Sequence, residues 1–92
     1  MRTAVYPGSF DPITLGHLNI IERAVDMFDS LVILLAINPG KQSLFSAEEN
    51  TEMIREVTSA WPQVKIDQTH GLLVDYARKN DIHLAVRGLR AV

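Results

Sequence analysis

The sequence predicts an α/β fold, a doubly wound parallel sheet, on three observations. Short apolar runs alternate with amphipathic stretches along the 92 residues. Turn-forming clusters punctuate them: Pro7-Gly8, Asn38-Pro39-Gly40 and Asn80-Asp81. One apolar run, residues 31–37, has seven members without a polar break, as in a strand buried on both faces. Strands alternating with helices favour parallel pairing through right-handed crossovers.

The elements follow in order. Residues 3–6 form a first strand, ended by Pro7-Gly8. Leu15, Leu18, Ile21, Val25 and Phe28 recur every three or four residues, which predicts one apolar stripe on a helix from about 15 to 28. The run 31–37 is the second strand. Ser46 with Glu49 is a capping-box signature, Ile54, Val57 and Trp61 continue a helical stripe, and Pro62 marks its end. Val64 and Ile66 flank Lys65, an alternation that suits a half-exposed edge strand. A third helix is expected over 72–79, then a buried-type fourth strand around 84–86. With the third strand at an edge, the strand order becomes 3-2-1-4, a Rossmann-like sheet. That order places two helices on one face and one on the other. Residues 1–92 are thus expected to be the N-terminal part of a single domain, with its C-terminal part missing or supplied by a partner chain.

Nine Lys and Arg against eleven Asp and Glu give a net charge of −2, so no overall positive field favours nucleic acid or an anionic membrane. The absence of cysteine removes disulfides and thiolate chemistry. No apolar run approaches the roughly 20 residues of a membrane span, and a cytoplasmic protein is expected.

In open parallel sheets, ligands bind beyond the carboxyl ends of the strands, where strand order reverses. Here that point lies between strands one and four, flanked by loops 7–14 and 87–92. Gly8 permits close backbone approach, and Gly16-His17 opens a helix whose free N–H groups favour anions. His17 can donate a hydrogen bond to a phosphate oxygen, or simply occupy the cap region. Ser9 can bind phosphate or form the turn, and Phe10 suits packing. Arg87 and Arg90 flank Gly88-Leu89 after the fourth strand; guanidinium forks match phosphate, although solvated arginines would look the same. Lys41 offers a mobile charge or an exposed side chain. His70 and His83 have no partner pattern, and Asp11, Asp67, Asp75 and Asp81 form no close-spaced metal cluster. These residues alone describe an α/β binder of phosphate compounds.

The stretch Tyr6-Pro-Gly-Ser-Phe-Asp-Pro-Ile-Thr-Leu-Gly-His17 closely resembles the opening motif of bacterial phosphopantetheine adenylyltransferases, in the nucleotidylyltransferase superfamily with its H/T-x-G-H signature. Lys41 before Leu44-Phe45, and Arg87-Gly88-Leu89-Arg90-Ala91-Val92, resemble two further motifs of that family in order and spacing. The resemblance implies transfer of the adenylyl group of ATP to 4′-phosphopantetheine, giving dephospho-CoA and pyrophosphate. It implies catalytic roles for His17 and Lys41. Ser9, Lys41, Leu73 and Arg87 would bind the phosphopantetheine side, and Ser9, Phe10, His17, Gly88, Leu89 and Arg90 the nucleotide. Mg²⁺ would be held by the nucleotide's own oxygens with no protein ligand, coenzyme A would bind as product kin, and the family assembles as a hexamer. A later Ile-Ser-Ser…Arg motif that helps the family bind ATP does not occur in these residues. The resemblance therefore leaves a second possibility open: a fragment that binds phosphopantetheine or coenzyme A without turnover, or that self-associates.

Overall fold

The computed structural model describes residues 2–38, 40 and 42–86. Its elements are β1 (Thr3–Gly8), α1 (Leu15–Met27), β2 (Ser30–Ala36), α2 (Ala47–Val57), β3 (Val64–Thr69), α3 (Leu73–Lys79) and β4 (Leu84–Ala85). The four strands pair in parallel in the order β3-β2-β1-β4, as the sequence predicts. β1 outlasts its predicted run: Pro7 and Gly8 stay in register opposite Leu34 and Leu35 of β2.

Alternation of side chains across β2 builds two cores. Leu31, Ile33 and Leu35 join Ala4 and Tyr6 under α1 and α2, which contribute Ile21, Ala24, Val25 and Ile54. Val32 and Leu34 join Val5 and Ile82 on the other face, where α3 lays down Leu73, Tyr76 and Ala77. Two helices therefore cover one face and one the other, as the strand order requires. β3 is the expected edge: Val64 and Ile66 pack against the first core while Lys65 and Asp67 are exposed.

Four expectations need correction. Leu15 is 83% exposed; the first turn of α1 overhangs the strand ends, so the inward stripe starts after it. The stripe of α2 is Asn50, Ile54 and Thr58, spaced by four, and Val57 faces out. Trp61 lies past that helix. Thr58 closes the last turn by donating its hydroxyl to the Ile54 carbonyl (2.7 Å), and Trp61 reaches the core from the following turn. β4 is not buried: among the described residues it pairs with Ala4 and Val5 of β1 alone, and both its residues are exposed, because it is the outer strand of the described sheet and α3 packs on the core of β1 and β2.

Candidate phosphate-binding site at the strand ends

The loop leaving β1 is shaped by one aromatic ring. Phe10 adopts a left-handed backbone conformation (φ 45°) and turns its side chain into the core, where it is 1% exposed. It lies so close over Gly8 that a Cβ there would sit 3.1 and 3.2 Å from two of its ring carbons. Any side chain there would require the Phe10 ring to give way by a few tenths of an ångström. The Phe10 ring meets Tyr6 edge-on at 5.1 Å and the His17 imidazole at 4.9 Å, so a core aromatic fixes where His17 lies. Burial raises the Tyr6 phenol above its ordinary value, leaving it a neutral packing group.

His17 is held a second time by the helix cap. Thr14 is the N-cap of α1, and its hydroxyl accepts from the His17 backbone N–H at 3.3 Å. In return the Thr14 backbone N–H donates to His17 Nδ1 at 2.9 Å. This is a capping box in which histidine replaces the usual Glu or Gln. A backbone N–H can only donate, so Nδ1 must accept, and the neutral ring carries its proton on Nε2. The sequence offered two roles for this residue, cap or donor, and the cap is the one observed: Nδ1 closes it, with the proton on Nε2. A helix N-terminus favours anions.

Across the site, Asp11 gathers donors from distant sequence. Its carboxylate accepts from the backbone N–H of Leu44 (2.6 Å), that of Phe45 (2.9 Å) and the side-chain amide Nδ2 of Asn50 (3.1 Å). Asn50 is 3% exposed, and among the described residues its Oδ1 has no hydrogen-bond partner. Ser46 and Glu49 form the predicted capping box immediately before it. Loop 42–45 is thereby drawn over the ends of β1 and β2, enclosing a cavity of about 300 Å³ bordered by Ser9, Asp11, Asn38, Gln42, Phe45 and Asn50. The sequence placed the crevice between strands one and four, and the loop 87–92 that would flank it lies outside the described residues; among the described residues the cavity lies on the β2 side of β1.

Ser9, exposed on the loop, lines that cavity. Phe10 has its ring in the core, which leaves only its backbone for a ligand. Leu73 is half-buried on the α3 face, against the core of Val5, Val32, Leu34 and Ile82, on the opposite side of the sheet from Phe10 and His17. Lys41, Arg87, Gly88, Leu89 and Arg90 lie outside the described residues. Sequence reasoning passed over Asp11 and Asn50. A polar residue four positions before Ile54, on the inward stripe of α2, was the available signal. Among the described residues no three His, Asp or Glu side chains are grouped to hold a cation. Among them, too, no helix is long and apolar enough to cross a membrane.

Comparison with known proteins places this geometry. Residues 5–92 match the cytidylyltransferase-like family. The chain is 51% identical over 92 residues to a phosphopantetheine adenylyltransferase of Carboxydothermus hydrogenoformans, covering all of this chain and 57% of the relative. It is 52% identical over 91 residues to one of Desulfatibacillum aliphaticivorans, covering 99% and 52%. It is 54% identical over 89 residues to one of Leptospira biflexa, covering 97% and 56%. The chain thus spans about half the length of these curated relatives. With the match running from within β1 through every later element, the chain belongs to the cytidylyltransferase-like family.

Proposed function

We propose that this chain carries the phosphate-binding half of a phosphopantetheine adenylyltransferase site, transferring the adenylyl group of ATP to 4′-phosphopantetheine with release of pyrophosphate. One observation carries the proposal: an imidazole whose Nδ1 is held by Thr14 and whose ring packs on Phe10, at a helix N-terminus, so that its Nε2–H is fixed in place. The names of its relatives support it. A phosphate oxygen of phosphopantetheine attacks the α-phosphorus of ATP. One P–O bond forms, the α–β bridging bond breaks, and pyrophosphate leaves with the electron pair. No protein nucleophile takes part, so positioning and charge stabilisation supply the rate. His17 Nε2–H donates to an α-phosphoryl oxygen as charge gathers there, and because the ring is held before reaction it needs no reorganisation. Ser9 and Lys41 hold reacting phosphates, Arg87 and Leu73 take the phosphopantetheine, and Phe10 (through its backbone) with Gly88, Leu89 and Arg90 borders the nucleotide. Mg²⁺ would be held by the nucleotide's own oxygens, with no protein ligand, and would supply charge screening of the triphosphate.

A pyrophosphate-release assay with ATP and 4′-phosphopantetheine tests this. Release that requires both substrates is expected. His17→Ala should cut kcat by about 10²–10³ with little change in KM, as for removal of a donor that acts in the transition state. Calorimetric binding of phosphopantetheine without release would replace transfer by binding alone. Neither binding nor release would contradict the proposal.

A further inference from the structure

Asp11 is out of place by charge. It follows Ser9 and Phe10 in a loop proposed to bind phosphates, where a carboxylate repels the ligand. Its hydrogen bonds explain its presence. Three N–H groups, 33, 34 and 39 residues away in sequence, converge on its two oxygens at 2.6, 2.9 and 3.1 Å. Two of these donors, Leu44 and Phe45, belong to the loop between β2 and α2, and the third projects from the inward stripe of α2. Carboxylates that accept several N–H bonds make shorter and stronger contacts than neutral acceptors. The loop has little else to order it: Leu44 is 77% exposed and Phe45 38%, so apolar burial does not pin it down.

Asn50 sharpens the point. Its amide orientation is fixed by chemistry, because a carboxylate oxygen can only accept, so Nδ2 must face Asp11. Its Oδ1 is then left buried without a partner among the described residues, a costly arrangement in a helix face otherwise built of Ile54 and Thr58. An apolar residue would fill that position at lower cost. An amide there is accounted for by the hydrogen bond it gives to Asp11.

We infer that Asp11 is a positioning residue: its carboxylate clamps loop 42–45 and α2 onto the β1–α1 loop, and so sets the walls against which a phosphorylated ligand binds. The inference deepens the function proposed above and rests on it for the ligand. The clamp acts through Leu44 and Phe45, and Asp11 itself does not touch the reacting atoms.

Charge and clamp make opposite predictions for an isosteric change. If Asp11 matters as a negative charge near phosphate, Asp11→Asn relieves repulsion and tightens anionic ligands. If it matters as a clamp, Asn turns an NH₂ donor toward the Leu44 or Phe45 N–H, and the loop loosens. We expect Asp11→Asn to weaken calorimetric binding of 4′-phosphopantetheine and ATP by about tenfold, the scale of one lost charge-assisted hydrogen bond. Amide exchange at Leu44 and Phe45, read by NMR without ligand, should accelerate in the same variant. Asp11→Glu keeps the charge but moves the oxygens by one methylene, and should behave like Asn. Ser46→Ala, which uncaps α2 but leaves the Asp11 contacts alone, should leave affinity within about twofold and so separate the clamp from general loosening. Unchanged or tighter binding in Asp11→Asn overturns the inference. So does wild-type behaviour in Asp11→Glu, or unprotected Leu44 and Phe45 amides in the wild type. A wild type that binds neither ligand, yet has protected amides that Asp11→Asn releases, overturns the functional proposal while upholding the clamp.

Discussion

The two faces of the sheet are unequal. Among the described residues, the face under α1 and α2 buries ten apolar residues, including Phe10, Ile21, Ile33 and Ile54. The α3 face buries four, and α3 itself has no buried residue. The candidate chemistry follows the deep side. His17 takes its position from Phe10 and Tyr6, both core members, and from a complete helix cap. Leu73, assigned to the substrate from resemblance, sits half-buried on the shallow side at the start of a helix without a side-chain cap. The side chain with the proposed donor role is thus the one held from two directions, by the core aromatics and by the helix cap.

The largest test of this contrast is truncation of one residue on each face. Phe10→Ala should cost about 3–5 kcal/mol in urea unfolding and free the His17 ring, whereas Leu73→Ala, half-buried, should cost about 1 kcal/mol. Equal losses would erase the distinction. Gly8→Ala comes next. Its methyl would press on the Phe10 ring at 3.1 Å, and overpacking of this kind costs about 1–3 kcal/mol. The variant should also lower kcat, since relieving the contact moves the ring that holds His17.

Caps give smaller and opposite changes on the two faces. Thr14→Ala should destabilise by about 1 kcal/mol, the typical worth of an N-cap hydroxyl. Leu72 occupies the N-cap position of α3, makes no side-chain cap bond and is 69% exposed, so Leu72→Asp should stabilise by about 0.5–1 kcal/mol in thermal melts. The smallest effect lies at alkaline pH. Partial burial and the hydrogen bond to Asp67 (2.7 Å) push the Tyr76 phenol up to about 12. The folded state thus holds this proton more tightly than the unfolded chain does. Its contribution is complete below the ordinary tyrosine value of 10.0 and is lost as the pH climbs from there to about 12. Melting temperatures followed across that window should fall less steeply in Tyr76→Phe than in the wild type.

The legible parts of this molecule were those in which one residue type has one physical outcome. Seven uninterrupted apolar residues had to be a central strand, and Ser46 with Glu49 had to start a helix. Alternation around Lys65 had to mark an edge. What escaped were residues whose role depends on distant partners. The Thr14–His17 cap has histidine where Glu or Gln is usual, so sequence pattern suggested a histidine near a helix start but not which nitrogen closes the cap. Asp11 looked like one of several scattered carboxylates, because its three donors lie more than 30 residues away. Leu15 and Val57 matched helical spacing yet face outward, since spacing gives the period of a stripe but not where the sheet beneath it ends.

The most direct test of the central claim is an ¹H–¹⁵N NMR titration of the chain with ATP, including the imidazole nitrogens of His17. The account predicts shifts concentrated at the Ser9, Gly16 and His17 amides and at His17 Nε2, with Nδ1 remaining the hydrogen-bond acceptor of Thr14. Shifts confined to the α3 face, or no shifts at all at saturating ligand, would contradict it.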